Sequence, residues 1–385
     1  MPATVRLNDR AAIVGIGQLP FSKDIGRPIG DTAVEAVLRA LEDAGLKPSD
    51  VDGTVKFQME DTQECAIARR AGVDNLRFFC EVKYGGGPNC AVVGHAAAAI
   101  TLGLASVVVC WRARNRAART SRPWAQERGV VHDDKMWHLP WGLIRPVDLI
   151  AMWGRYHMER YGTTREQLAE VAIAFRKHAM RNPAAMMQKP LSLDDYLASR
   201  MIGDPLCLYD CSLESDGAIA CVVTSAERAR DLRHRPAYVH AYAQGTGPNQ
   251  VHLANYNTSD FSTSARYCAE ELWRRSDLQP QDIQCAQIYD AFTPLVIMGL
   301  EEYGLCEAGA GGRFVAGGTL GPGGKLPTNT SGGSLSEAYV HGMNLVSEGV
   351  RQIRGTSTSQ VPDCKAVLVT GAAAVSTSAL VLRGD

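Results

Sequence analysis

Short apolar runs alternate with amphipathic stretches along most of this chain. The runs "AAIVGIG", "ASVVVCW", "AIACVVTS", "AYVHAYAQG", "KAVLVTG" and "SALVLR" are rich in β-branched and small residues and are bounded by glycine or polar residues, so they predict strands. "DTAVEAVLRALEDAG" and "SARYCAEELWRRSD" place apolar residues at helical spacing. "YHMERYGTTREQLAEVAIAFRKHAMRNP" predicts a helix stopped by its proline. Strands alternating with helices define an α/β class.

One unit occurs twice. "LEDAGLKPSDV" and "WRRSDLQPQDI" match at Leu46, Pro48, Asp50 and Val51 against Leu278, Pro280, Asp282 and Ile283, a constant offset of 232. Each copy ends an amphipathic helix and leads into a short apolar run, "GTVKF" or "CAQIY". A helix, turn and strand used twice predict two related halves, residues 1–230 and 231–385, with a seam near 230. Within the first half a loop or cap region spans about 112–210. Six arginines (112, 114, 116, 119, 122 and 128) and four of the six tryptophans (111, 124, 137 and 141) fall near its start. This cluster is read either as a solvated basic loop or as a cap that covers an apolar ligand and meets phosphates with arginine forks.

Composition narrows the field. With 40 basic against 41 acidic residues, no overall field recruits nucleic acid or an anionic membrane. The eleven cysteines are scattered and odd in number, which predicts reduced thiols, and none shows zinc-ligand spacing. No apolar stretch is long enough for a signal peptide or a membrane span, so a cytoplasmic protein is expected. "VGIGQLPF" lacks the third glycine of a dinucleotide fingerprint, and "GPGGKLPT" lacks the hydroxyl residue after its lysine. There is no Gly-x-Ser-x-Gly elbow and no His-Glu-x-x-His. What remains is "NTSGGSLSEAYVHG", residues 329–342, a glycine-rich loop built for close backbone approach, with a tyrosine and a histidine just beyond it.

Residues 197–226, "LASRMIGDPLCLYDCSLESDGAIACVVTSA", together with "YGTTREQLAEVA", resemble the thiolase superfamily, specifically the lipid-transfer or sterol-carrier-type thiolases. The resemblance spans nearly the whole chain. It implies a five-layered αβαβα fold of two βαβαβαββ half-repeats with an intervening loop domain, and it accounts for the echo at offset 232. The family carries a cysteine nucleophile, a histidine in a His-Glu/Asp-x-Phe stretch, and another in a Gly-His-Pro stretch after a glycine pair. This sequence departs from all three. The nucleophile position falls on Gly86 or Gly87, and Cys90, a few residues later, reads as a small buried cysteine. "IYDAFTP" puts Tyr289 in the first histidine's place and keeps Asp290 and Phe292. After Gly332 and Gly333, Tyr339 holds the second histidine's place, with His341 two residues on.

These replacements decide the chemistry. Without a thiolate there is no acyl-enzyme. A phenol, with an ordinary pKa of about 10, does not activate a thiol as histidine does, but it exchanges protons with an alcohol. Retro-aldol cleavage of a β-hydroxyacyl-CoA needs such an acid/base pair and no covalent cysteine. The pattern of two tyrosines and a glycine is similar to that of the steroid side-chain-cleaving aldolases. That resemblance implies cleavage of a 17-hydroxy steroid carrying a three-carbon acyl-CoA side chain into a 17-keto steroid and propionyl-CoA. It also implies a homodimer within a hetero-oligomer that includes an OB-fold, zinc-ribbon partner. The expected site is Tyr289, Tyr339, His341 and Asp290 for catalysis and Gly86, Gly87, Gly332 and Gly333 against the substrate, with no metal and no cofactor beyond the CoA of the substrate.

Each residue also has a plainer reading. Either tyrosine alone is as readily a core residue with a satisfied hydroxyl, His341 a packing residue, and Asp290 a helix cap. Neighbours favour Tyr289, beside Asp290, as the group that takes the hydroxyl proton and Tyr339 as the one that protonates the enolate, with the reverse assignment open. Two other functions stay open beside the aldolase: a non-catalytic acyl-CoA or sterol-binding scaffold, and a thiolase-like acyltransferase using Cys90. The homodimer is expected through edge strands of the N-terminal halves, with "ASVVVCW" and "NCAVVGHAAAAITLG" supplying a small-residue surface.

Overall fold

The computed structural model describes residues 6–58, 62–115, 135–248 and 262–385. Its strands are β1 (Ala11–Gln18), β2 (Gly53–Phe57), β3 (Phe78–Val82), β4 (Val107–Arg114), β5 (Met201–Gly203), β6 (Leu206–Cys207), β7 (Gly217–Ser225), β8 (Ala237–Gly245), β9 (Cys285–Gln287), β10 (Ala366–Thr370) and β11 (Thr377–Arg383). Strands β5 and β6 form a small ribbon, and the others follow the order β3-β2-β4-β7-β1-β8-β11-β10-β9. The two half-sheets join where Ala12 and Ile13 of β1 pair with Tyr238 and Ala237 of β8. On each side of that seam the pairing repeats: β2 runs parallel to β4 as β9 does to β10, while β4–β7–β1 and β10–β11–β8 are antiparallel.

Helices complete five layers. The helix Ile29–Ala44 covers the outer face of the first half, where Gly15 and Gly17 of β1 admit its Ala36 and Ala40 so closely that no Cβ would fit. The helix Ser264–Arg275 covers β8 and β11 in the same way, with Gly245 against Cys268. Between the half-sheets lie Asn89–Thr101 and Met343–Arg354, buried along nearly all of their length. "NCAVVGHAAAAIT" is small and apolar on every face because strands press on it from both sides.

The sequence repeat is a structural one. Pro48–Asp50 and Pro280–Asp282 are each a single 3₁₀ turn. In each, the aspartate carboxylate accepts the N–H of the residue before the proline, Lys47 or Gln279, at 2.8 Å. The proline presets the first turn and the aspartate satisfies an orphan donor, so both recur.

Three expectations change. The stretch expected as one helix is two, Pro146–Tyr161 and Arg165–Ala179, because Gly162 takes a left-handed φ of 73° and Thr164 starts a new capping box with Gln167. The sheet continues through Arg114, so Arg112 and Arg114 are strand residues and the cap begins beyond them. Trp111 lies in the core beneath helix Ile29–Ala44, whereas Trp141 is 81% exposed. Arg116, Arg119, Arg122, Arg128 and Trp124, and the side chain of Trp137, lie outside the described residues. Finally, Val107–Arg114 is flanked by β2 and β7 and so is not an edge strand, and the helix after Pro88 is buried over most of its length, with Leu102 just beyond it 60% exposed. The strand at the end of the first half is β3, with Phe79 55% exposed.

Candidate active site

Two loops from the C-terminal half converge on one point. Strand β9 ends at Gln287, and beyond it Asn329 takes over the work of a neighbouring strand: its side chain accepts the N–H of Ile288 at 2.7 Å and donates to the Ile288 carbonyl at 2.8 Å. The Tyr289 N–H then donates to Thr370 Oγ1 at 3.0 Å. Asp290 turns inward and accepts the N–H groups of Ser334 and Leu335 at 2.8 and 3.1 Å. It is fully buried; that burial pushes its carboxyl up to about 6, and the two amide donors act the other way. Its carboxylate fills the space where a side chain on Gly333 would stand. Gly332 and Gly333, at φ 109° and 59°, make the turn that receives it.

The second loop climbs from this anchor to Tyr339. The Glu337 carboxylate, also buried, accepts from Ser331 Oγ at 2.6 Å and from the side-chain amides of Asn182 and Asn344 at 3.1 Å each. Burial pushes Glu337 up to about 7. The Tyr339 N–H donates to Ser215 Oγ at 2.7 Å, and its carbonyl accepts from Arg114 Nη1 at 3.0 Å. So held, the Tyr339 hydroxyl lies 2.8 Å from that of Tyr289. Burial raises both phenols above their ordinary range, Tyr289 strongly. His341, at φ 50°, stacks on Tyr339 with ring centroids 4.6 Å apart, and its Nδ1 lies 3.1 Å from Arg112 Nη2.

Tyr289, Tyr339, His341 and Gly86 share the wall of a cavity of about 1080 Å³. A Cβ on Gly86 would lie 2.5 Å from the Tyr289 oxygen, so the absent side chain leaves room beside the phenol. Leu213, Phe292, Leu295 and Leu335 form an apolar wall, and Met186 and Met187 also line the cavity. Gly87, Asp290, Gly332 and Gly333 do not line it. Gly87 packs under Ser376 and Tyr84, and the other three shape the loops behind the tyrosines.

Cys90 is elsewhere. Its thiol is fully buried in the first turn of Asn89–Thr101, donates to the Val369 carbonyl at 3.3 Å, and is pushed well above its ordinary pKa by burial. Its neighbour Asn89 holds the site from below, donating to the carbonyls of Thr370 and Gly342 at 2.9 and 3.2 Å. Arg112 and Arg114, expected in the cap, belong instead to this site. The alternation in "VVVCWRAR" puts both on one face of β4, a signal legible once the run is extended to Arg114.

Comparison with known proteins places the fold and then the family. Residues 245–382 match the model of the thiolase C-terminal domain-like family. Human mitochondrial 3-ketoacyl-CoA thiolase, 14% identical, superposes with a TM-score of 0.66 over 98% of each chain, which makes the fold that of the thiolases. A steroid side-chain-cleaving aldolase of Thermomonospora curvata is 46% identical over 97% of this chain and 98% of its own. A 17-hydroxy-3-oxo-4-pregnene-20-carboxyl-CoA lyase of Mycobacterium tuberculosis is 45% identical over 98% of this chain and 100% of its own. The solved structure of an Ltp2-ChsH2(DUF35) aldolase is 45% identical, with a TM-score of 0.94 over 99% of each chain. The chain belongs to the steroid side-chain-cleaving aldolases of the thiolase superfamily.

Proposed function

We propose that this protein cleaves the side chain of a 17-hydroxy steroid carried as a CoA thioester, giving a 17-keto steroid and propionyl-CoA by a retro-aldol reaction. The observation that carries the reading is the pair of hydroxyls of Tyr289 and Tyr339, 2.8 Å apart on the wall of an apolar cavity, with Gly86 rather than a nucleophile beside them. One tyrosine, as its phenolate, accepts the proton of the β-hydroxyl, the O–H electrons become the new carbonyl, the carbon–carbon bond breaks toward the thioester, and the other tyrosine, as its phenol, protonates the enolate carbon; a proton passed back across their hydrogen bond restores the pair. The chemistry calls for no metal and no cofactor beyond the CoA of the substrate. The Thermomonospora and Mycobacterium relatives act, by their names, on steroid side chains and on a pregnene-carboxyl-CoA, which supports a steroid in the apolar part of the cavity.

Positive charge lies around the same cavity. Arg145 is engaged by Asp148, and Arg176 by Ser336 Oγ and the Lys189 carbonyl. Lys23 and Arg200, both exposed, have no side-chain partner among the described residues, and they meet the phosphates of the thioester. The similar Ltp2-ChsH2(DUF35) aldolase supports a complex with a DUF35-type partner, and the protein works in such a hetero-oligomer. The full chain, with and without that partner, is incubated with the β-hydroxyacyl-CoA of a C22 steroid and the products are read by mass spectrometry. Release of the 17-keto steroid with propionyl-CoA supports the reading, whereas binding with no cleavage under either condition returns it to a scaffold. The buried, carbonyl-bonded thiol of Cys90 argues against an acyltransferase.

A further inference from the structure

We infer that His341 is the donor that holds the thioester oxygen as it takes on charge, and that Arg112 locks its imidazole into the tautomer able to do so. This rests on the aldol-cleavage reading above and adds a need that the tyrosine pair does not meet. When the carbon–carbon bond breaks, its electrons pass into the thioester carbonyl, and the charge of the enolate gathers on that oxygen. A donor aimed there stabilises the transition state more than the bound substrate. Tyr289 and Tyr339 are occupied with the proton transfers. Arg114 is occupied with the carbonyls of Tyr339 and Ser215 and the carboxylate of Glu214.

The imidazole of His341 stands beside the pair. Its ring centre lies 4.6 Å from that of Tyr339, with the two planes at 43°, and it forms part of the cavity wall though only 5% of the residue is exposed. The backbone is shaped to put it there. His341 takes a left-handed φ of 50°, which a residue with a Cβ rarely adopts, and Gly342 follows at 78°. Asn89 Nδ2 donates to the Gly342 carbonyl at 3.2 Å and holds that turn. Phe57 packs on the imidazole with ring centroids 5.8 Å apart, and the Arg112 guanidinium lies 5.2 Å from the centre of the Phe57 ring.

Arg112 Nη2 lies 3.1 Å from His341 Nδ1. A guanidinium donates and never accepts, so Nδ1 is the acceptor and the imidazole is neutral with its proton on Nε2. Arg112 is buried and lies off the cavity wall, so the ring edge turned away from it, which carries Nε2, is the edge that meets the cavity. His341 gives a hydrogen bond and keeps its proton. The electrons of the substrate O–H become the new carbonyl, those of the carbon–carbon bond reach the thioester oxygen, and they return to carbon when the pair protonates it. His341 is thus a catalytic residue and Arg112 a positioning residue.

The test uses the full chain with its DUF35-type partner and reads two things. With ¹⁵N-labelled histidine, NMR of the unsubstituted chain shows His341 Nδ1 bare and Nε2 protonated. Arg112→Lys, which still donates, keeps that tautomer, and Arg112→Met loses it. Propionyl-CoA carrying ¹³C at the thioester carbonyl is then bound, and its stretch is read by difference infrared spectroscopy. The stretch falls to lower frequency in the parent and returns toward the free value in His341→Phe, which keeps an aromatic ring. His341→Gln, whose amide donates, retains part of the shift. Turnover falls by about a hundredfold or more in His341→Phe with KM changed little, the loss expected for one oxyanion donor. A proton on Nδ1 in the parent, which needs no variant to fold, or the same carbonyl stretch in the parent and His341→Phe, overturns the assignment and leaves the aldol reading standing wherever the chain cleaves. If the parent cleaves nothing while the tautomer and the stretch behave as described, the aldol reading falls and the donor at His341 stands.

Discussion

Tyr289 and Tyr339, 50 residues apart in the chain, bring their hydroxyls to 2.8 Å with the rings nearly perpendicular, at 75°. Tyr→Phe removes only the hydroxyl and keeps the ring, so it isolates proton transfer from packing. Each single change is expected to lower cleavage by about a hundred- to ten-thousand-fold. Stability should fall by no more than about 1.5 kcal/mol, one hydrogen bond's worth. Steady-state kinetics with thermal unfolding check both, and near-normal turnover in both variants would remove the tyrosines from the mechanism.

Gly86 bears on the same oxygen from the other side. A methyl at 86 would press on the Tyr289 hydroxyl at 2.5 Å, so the phenol must swing away from Tyr339. Gly86→Ala is expected to fold and to lose about a hundredfold in rate, as a displacement of about 1 Å in a reacting group does. Equal turnover of Gly86→Ala and the parent would mean that the space beside Tyr289 is not used.

Asp290 and Cys90 separate structural from chemical roles. Asp290→Ala orphans the buried N–H groups of Ser334 and Leu335, and each such loss costs about 1–3 kcal/mol. Denaturant unfolding should show that loss, and activity should fall with it as the loop to Tyr339 loosens. Cys90→Ala removes one buried sulfur away from the cavity wall. It is expected to cost about 1 kcal/mol of stability and to keep turnover within about threefold. An inactive but folded Cys90→Ala would revive the acyltransferase.

Glu337 makes stability depend on pH in a definite direction. Its folded pKa, about 7, stands above its ordinary value of 4.5, so the folded state holds the proton more tightly. The stability it contributes is therefore full below about pH 4.5 and is lost as pH rises through 7. Asp290, raised to about 6 from 3.8, acts with the same sign over a lower window. Glu337→Gln should thus compare better with the parent at about pH 8 than at about pH 5 when melting temperatures are measured across that range. A constant difference between the two would show that Glu337 titrates normally.

The free edge of β3 predicts the assembly. Among the described residues the strand pairs only with β2, and Phe79 stands 55% exposed on it, a combination that a solitary protein usually avoids. A homodimer formed through β3 should dissociate, or weaken by about tenfold or more, in Phe79→Glu. Light scattering at micromolar concentration reads this directly, and a parent protein that is already monomeric would exclude the arrangement.

Much of this protein was legible in its order of residues. The alternation of apolar runs and amphipathic stretches located every strand except β3, β5 and β6, because most of those runs bury side chains on both faces of a sheet and so stand out as continuously apolar. The repeat about Asp50 and Asp282 was visible because one local need, an acceptor for the N–H before a proline, demands the same residues twice. Strand β3 was not, since "FFCEV" is an edge whose exposed and covered positions mix. Gly86, Tyr289 and Tyr339 could be named from sequence by their places in motifs, but not shown to meet. Their meeting depends on Asp290 reaching across to Ser334 and Leu335, and on Asn329 holding Ile288, contacts between segments more than 40 residues apart. The side of β4 on which Arg112 and Arg114 lie, and the depth at which Cys90 is sealed, were likewise decided only in three dimensions. Local chemistry sets which elements form, whereas the electrostatic field at a site is the sum over groups that the chain brings together from far apart.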